Sequence, residues 1–460
     1  MNNLSLADFK QLPEISILNP PAEQDFAKPL RGISIDSRSL KANQIFWAIK
    51  GDKFDGHDFI IDAVKNGAAA VVIDRMHAHT ISSMGTPVIV VKDTLQALQK
   101  MAALHRKKFS IPILAITGTN GKTTTKEMLA WILQAKYNIH KTWGNLNNHI
   151  GLPLTLLHLN PTHQISIIEI GTNHPGEIAT LCSLVQPTAG LITNIGRGHL
   201  EFFTNIEGVA REKMELFRNV QKNGVIFINK DDPFLAGYSS SDQFLCSYSL
   251  HETVPADVHG QFIGLNDRGE GIWKLNTQTV ITMRVTGLHN VQDALAASTM
   301  ALKFGCREDE IKSALEQYTA YDKRMQIIRN ENWTIINDSY NANPDSLLPA
   351  LETLHHMATR QACRKIAILG DMLELGAVSA QLHREVLQKV RSSGLDGIFT
   401  LGEFFRHAAE NLKNNNHENI RSFSSHQDLA EELKNFIKPD DIILIKGSRG
   451  MQMEKILAFL

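Results

Sequence analysis

The stretch "AITGTNGKTTTKEM", Ala115 to Met128, decides how this chain is read. The apolar run "IPILAIT" leads into it and "TTTKEMLAWILQAK" leaves it with helical periodicity, so the segment reads strand, glycine turn, helix. That is the context a phosphate-binding loop requires. Over Gly118, Thr119, Asn120, Gly121, Lys122, Thr123 and Thr124, the two glycines let backbone amides turn inward around an anion. Lys122 can neutralise phosphate charge, Thr123 can offer a hydroxyl to magnesium, and the helix N-terminus favours the anion. The usual pattern has a further glycine where this chain has Ile116, so the turn begins later, at Gly118. A glycine-rich structural turn is the alternative.

Composition bounds the rest. At 460 residues the chain exceeds the size at which one hydrophobic core keeps growing, so two or three domains are expected. Hydrophobic content of 43% and charged content of 21% suit a soluble globular protein. With 47 basic and 48 acidic side chains there is no broad electrostatic footprint for nucleic acid. Cys182, Cys246, Cys306 and Cys363 are far apart and lack metal-ligand spacing. The start, "MNNLSLADFKQLPEIS", has neither the basic flank nor the apolar core of a signal peptide, and no apolar run is long enough for a membrane span. A reducing cytoplasm is the expected compartment.

Strand and helix patterns place an α/β unit over 1–93, with strands in "IFWAIKG", "AAAVVID" and "PVIVVKD". A central unit, 94–319, alternates strand and helix as a doubly wound sheet does, through "IPILAIT", "HQISIIEIG", "AGLITNIG" and "KNGVIFINKDDP". Residues 255–286, rich in turns and β-branched side chains, read as a small hairpin insertion. From 320 to 460 the alternation resumes as a separate open α/β, Rossmann-like domain: "WTIINDSY", "KIAILGD", "DGIFTLG" and "DIILIKGSRG".

Several polar residues fall where such sheets bind ligands. Glu169 ends an apolar strand beside a glycine, well placed for magnesium, which takes hard oxygen ligands; a solvated strand end is the plain alternative. His199 follows another strand end in "ITNIGRGHLEFF", with a ligand role and an ordinary surface or core role about evenly matched. Lys213, in "GVAREKMELF", reads as a solvated helix lysine, since neither charge nor periodicity distinguishes it. Asn290, in "GLHNVQDALAA", caps a helix or reads an adenine edge, and capping is the better reading. In "INDSYNANPDS", Asn343 is an N-cap ahead of Pro344, while Asp338, Ser339, Tyr340 and Asn341 form a ligand pocket or serve turn chemistry. Asp371, Lys446 and Arg449 are expected at the same edge of the third domain, where basic groups can steady a charged substrate.

Together, "TGTNGKTTTKEM", "GNLNNHIGLP", "IIEIGTNHPGEI", "NIGRGHLEFF", "GLHNVQDALAA", "INDSYNANPDS", "GDMLELG" and "KGSR" resemble the peptidoglycan Mur ligases. The resemblance covers nearly the whole chain, including "DSRSLKANQIFWAIKGDKFDGHDF". The loop alone marks only the wider family, which includes folylpolyglutamate synthases. "DSYNANP" and "NNHIGLP", and the lack of the Asp-Asn-Pro-Arg motif of the ligases that add a diamino acid as third residue, narrow the implied substrates to UDP-N-acetylmuramoyl-tripeptide and D-alanyl-D-alanine.

The resemblance implies an N-terminal domain holding the UDP end of the precursor, a central ATPase domain and a C-terminal domain closing over both. It implies ATP and magnesium, with Lys122 on the β- and γ-phosphates and Thr123, Glu169 and His199 around the metal. Lys213 matches a lysine carbamylated in this family, Asn290 an adenine contact, and Arg324 and Asp338 the nucleotide side of the third domain. Substrate contacts are expected at Ser37 and Arg38 in the uridine-nucleotide segment, and at Asn147, Tyr340, Asn341, Asn343, Lys446 and Arg449. The chain departs from the family at Asp293, where a second asparagine is common, and at Lys323, where glycine often precedes the arginine. The implied reaction is ATP-dependent peptide-bond formation through an acyl phosphate, by a monomer with no nucleic-acid partner. Another Mur-type ligase or a folylpolyglutamate synthase is the alternative within ligases. A P-loop NTPase switch would leave the N-terminal segment and the "DSYNANP" cluster unexplained.

Overall fold

The computed structural model describes the chain except residues 1–3, 52, 81–84, 267, 331, 362, 413–418 and 460. Three sheets follow one another along it. The first has five strands in the order Ser16–Leu18, Val88–Val91, Ala70–Asp74, Ile45–Trp47, Ile33–Ser34, all parallel pairs but the first. The helix Thr94–Arg106, N-capped by Asp93 through Gln96 N–H, packs on two helices of the second unit, while its Thr94 carbonyl accepts from the buried Trp47 indole.

The second sheet has nine strands. Its pivot is Ile113–Thr117, paired in parallel with Ile165–Glu169 on one side and Ala189–Ile192 on the other. All of these strand residues are buried, which is why they read as unbroken apolar runs rather than alternating ones. The chain leaves the pivot toward one flank and returns to the other, so the carboxyl ends of three strands open on one crevice.

The expected hairpin over 255–286 is not an insertion. Val258–Leu265, Gly271–Leu275 and Thr279–Met283 are antiparallel partners that extend the same sheet, joined to it by Tyr248↔Val258 pairing from the strand Phe244–Ser249. Their alternating burial packs Trp273, Leu275, Ile281 and Met283 under the helix Leu288–Lys303. Turn-rich sequence signals strands but cannot say which edge they join.

The third sheet runs Gln326–Arg329, Trp333–Asp338, Asp441–Lys446, Lys365–Gly370, Gly397–Leu401, Ile420–Phe423, antiparallel only at its first pair. Among the described residues, no helix is long and apolar enough to cross a membrane.

Candidate active site

A cleft of about 830 Å³ lies between the crevice of the second sheet and the edge of the third. Its floor is the glycine loop. Gly118 (φ +147°) passes so close to Thr193 that a Cβ would lie 1.9 Å from Oγ1, and Gly121 (φ +79°) starts the helix Lys122–Leu133 in a left-handed conformation. Only glycine serves at both points. The loop is laced to the next strand end: Thr193 Oγ1 and Asn194 Nδ2 donate to the Asn120 carbonyl at 2.5 and 3.1 Å, and Asn120 N–H donates to Asn194 Oδ1 at 3.0 Å. Lys122 Nζ donates to the Gly118 and Thr119 carbonyls, at 2.9 and 3.1 Å, and burial lowers its pKa.

Beside the loop, Thr123 Oγ1 donates to Glu169 Oε2 at 2.9 Å and Asn147 Nδ2 donates to Glu169 Oε1 at 2.8 Å. Register explains the meeting, because Glu169 pairs with Ile116, two residues before the glycine turn begins. A hydroxyl and a carboxylate this close are a hard-oxygen donor set of the kind magnesium takes, next to a loop of bare backbone fitted to phosphate. The residues present therefore fit a magnesium nucleotide.

His199 also lines the cleft, at a left-handed φ of +55°. Its Nδ1 lies 2.6 Å from Glu374 Oε2 of the third unit. Lys213 does not line the cleft, nor is it solvated. It lies 2% exposed in the helix Ile206–Arg218, with no hydrogen bond or ion pair to any described residue. Burial, with the Lys122 charge nearby, pushes its pKa far below the usual lysine value. The periodicity did carry that signal: Val209, Lys213 and Phe217 stand four residues apart on the buried face.

The third unit supplies the roof. Arg324 Nη2 donates to Thr123 Oγ1 at 2.9 Å, and its guanidinium stacks on Tyr340 at 3.8 Å. Arg449 donates to the Tyr340 hydroxyl at 3.0 Å; Lys446 pairs with Asp338 and donates to the Asn341 carbonyl at 3.0 Å. Asn343 caps the helix starting at Pro344 through Ser346 N–H, at 2.9 Å, and its amide donates to Asn120 Oδ1 at 2.8 Å. Lys323 turns away to Glu454, at 3.0 Å.

Comparison with known proteins identifies the arrangement. The sequence model described as the Mur ligase middle domain matches residues 116–301, that of the Mur ligase glutamate ligase domain matches 323–449, and that of the Mur ligase family catalytic domain matches 29–106. The UDP-N-acetylmuramoyl-tripeptide–D-alanyl-D-alanine ligase of Bacillus subtilis (strain 168) is 33% identical over 455 residues, covering 98% of this chain and 97% of the relative. The structure of MurF from Acinetobacter baumannii superposes with a TM-score of 0.86 at 30% identity, covering 99% of this chain and 98% of that one. MurF from Thermotoga maritima, solved with ADP, gives a TM-score of 0.81 at 26% identity, covering 93% and 96%.

The chain belongs to the Mur ligase family.

Within this ligase the cleft gathers the loop from Thr119 to Thr124, with Asn147, Glu169, His199, Asn290, Arg324, Asp338, Tyr340, Asn341, Asn343, Lys446 and Arg449. Two first-unit residues lie elsewhere. The Ser37 carbonyl accepts from Asn66 Nδ2 at 2.9 Å, and the exposed Arg38 is paired with Asp36 at 2.7 Å. Asn290 is not a cap: Gly287 holds that position, and the Asn290 amide donates back to the Thr286 carbonyl at 2.7 Å. Asp371 does not join the site either. Its carboxylate accepts from Phe404 and Phe405 N–H, at 3.0 and 2.9 Å, at the start of the helix Glu403–Leu412.

Sequence reasoning missed the residues that join the two large units. Arg197 N–H and guanidinium donate to the Asp345 carboxylate, with Nε at 3.0 Å, and Glu374 meets His199. Asp345 had a signal only as a first-turn acid on its helix, which is ordinary dipole chemistry. Away from the cleft, Asp55, His57 and His77 are near enough to share an ion, but the two rings stack at 3.9 Å and 13°. Parallel stacked rings do not converge their lone pairs on one point, and Asp55 and Asp74 already engage them.

Proposed function

We propose that this ligase joins D-alanyl-D-alanine to the terminal carboxylate of UDP-N-acetylmuramoyl-tripeptide, converting ATP to ADP and phosphate, in the cytoplasmic synthesis of peptidoglycan precursors. One observation carries the reading: the phosphate loop with Thr123 and Glu169 faces the basic edge of Arg324, Lys446 and Arg449 across a single cleft. ATP and magnesium are the family's working pair, and the donors present suit them. The three units correspond to 1–93 for the UDP end, with Ser37 and Arg38, 94–319 for ATP, and 320–460 as the closing domain. The enzyme works as a monomer.

The chemistry needs these groups. A carboxylate does not react with an amine in water until its oxygen is made a leaving group. The tripeptide carboxylate attacks the γ-phosphorus, the bond to ADP breaks, and an acyl phosphate forms. The neutral amine of D-alanyl-D-alanine then adds to the acyl carbon, and loss of a proton and of phosphate leaves the amide. Lys122 offsets charge on the transferring phosphoryl oxygens, Arg324 steadies them from the third domain, and Asn290 contacts the base. Magnesium, held by Thr123 and Glu169 with His199, would supply Lewis-acid neutralisation of the phosphates. Asn147, Tyr340, Asn341, Asn343, Lys446 and Arg449 position the peptide substrates, Asn343 through the loop residue Asn120. Domain closure keeps water from the acyl phosphate.

Lys213 would enter as a neutral amine that adds CO₂ and releases a proton, and its carbamate would supply an anionic oxygen donor for the metal. Its lack of any carboxylate partner and its lowered pKa support that role.

Phosphate release measured with ATP and magnesium tests the assignment. Release is expected only when the tripeptide precursor and D-alanyl-D-alanine are both present. Equal release with a single amino acid as acceptor, or with neither substrate, overturns it.

A further inference from the structure

Two buried acids of the cleft stand outside the mechanism: Asp232, which accepts from Ile195 and Phe234 N–H, and Asp293. Asp293 is the one against the phosphate loop. It lies 6% exposed on the helix Leu288–Lys303, on the cleft wall, with its carboxyl resting on the phosphate loop. The contact is close enough that a Cβ on Gly121 would lie 2.0 Å from Oδ1. Among the described residues one hydrogen bond reaches it, from Thr125 Oγ1 to Oδ1 at 3.2 Å. Two cations face it, Lys122 from the loop and Arg324 from the third domain, yet neither forms an ion pair with it. The phenols of Tyr248 and Tyr318 share its surroundings, and Tyr248 also feels Asp231 and Asp232.

A charged carboxylate here would be buried without a salt bridge and would confront the polyphosphate that the loop is built to hold. Both terms favour the acid form. We propose that Asp293 serves the nucleotide site as a neutral carboxylic acid, hydrogen-bonding from the helix to the loop and nucleotide, and that its ionisation expels nucleotide. The oxygen that Thr125 does not occupy carries the proton and makes the side chain a donor as well as an acceptor. Burial raises the pKa of Asp293 to about 8, against the opposing pull of Thr125, Arg324 and Lys122.

The sign follows from linkage. A triphosphate beside the carboxyl raises its pKa further, so binding takes up a proton where the free site is ionised. Affinity is full below about pH 8 and falls as pH rises above it, by about tenfold per unit at the limit.

The test is ADP affinity from pH 7 to 9.5, in EDTA so that no metal titrates. Wild type should lose affinity above pH 8, and ADP binding at pH 8.5, measured calorimetrically in two buffers of different ionisation enthalpy, should take up a fraction of a proton. Asp293→Asn keeps donor and acceptor without a titrating proton, so binding should persist and its alkaline loss should vanish. The same loss in wild type and Asp293→Asn would assign it to Lys122 and overturn the role of Asp293. So would a flat wild-type profile without proton uptake, a measurement that needs no variant to fold. The inference rests on nucleotide occupying this cleft. Absence of ADP binding at every pH would remove that reading too, whereas binding without pH dependence removes only this one.

Discussion

Two lysines, one on the helix Lys122–Leu133 and one on the helix Ile206–Arg218, are equally buried and chemically opposite. Lys126, 0% exposed on the phosphate-loop helix, is ringed by oxygen: the Thr142 carbonyl at 2.8 Å, Glu127 Oε1 at 3.0 Å, and Glu169 Oε2 and the Gly144 carbonyl at 3.5 Å. Lys213, 2% exposed, has none. Burial by itself does not decide whether a lysine is structural or reactive. Where oxygens replace the water that was lost, the ammonium survives and ties elements together. Where they do not, the amine is driven neutral and becomes a nucleophile. Lys122 stands between these cases, half-buried and held on two carbonyls of its own loop, within reach of whatever phosphate the loop accepts.

The largest effect is expected at Lys122. Lys122→Ala should lower acyl phosphate formation by about 10²- to 10³-fold, as loss of one preorganised donor does, while binding of the UDP-precursor weakens only modestly. Near-normal ligation would sink the phosphate role and make the loop a structural turn. Lys213→Ala comes next: activity should fall by about 10²-fold, the lower bound for a catalytic electrostatic group, and recover partly with short carboxylates occupying the carbamate's place. A fully active variant, indifferent to bicarbonate, would end the carbamate role.

Stability should separate the pair in the other direction. Lys126→Met leaves Glu169 short of a cation, while Glu127 keeps Lys141, and should cost about 3 kcal/mol, the low end for breaking a buried ion pair. Lys213→Met removes an uncompensated buried amine and should leave denaturant stability unchanged or raise it. Equal losses for both variants would mean that packing, and not pairing, sets the difference.

What was legible in the chain was local. The strand–loop–helix of 113–133 and the carboxylate of Glu169 are written in short runs, because apolar strands and glycine turns depend on near neighbours. Lys213 was half legible: its place on the apolar stripe is in the sequence, but only the packed fold withholds every acceptor from it. Asp371 misled because a carboxylate at a strand end caps a helix as readily as it meets a ligand. The edge hairpin and the contacts Asn120–Asn343 and Arg197–Asp345 join residues more than a hundred positions apart or depend on sheet order, and no periodicity encodes them.

That last pair offers the smallest effect and a useful limit. Arg197 and Asp345 are each about a third exposed, at 33% and 31%, so water competes with the ion pair that the two units share. Surface pairs of this kind contribute at most about 1 kcal/mol, so Asp345→Asn should raise the KM values for ATP and UDP-precursor together by about two- to fivefold. A common shift is the signature of a less favourable closure, since neither substrate's own contacts are removed. A change in one KM alone would place Asp345 against that substrate instead. An effect as large as that of Lys213→Ala would show that this part-exposed pair controls the cleft as strongly as a buried amine without a carboxylate partner, and missing compensation would then no longer be what sets reactive groups apart from the rest.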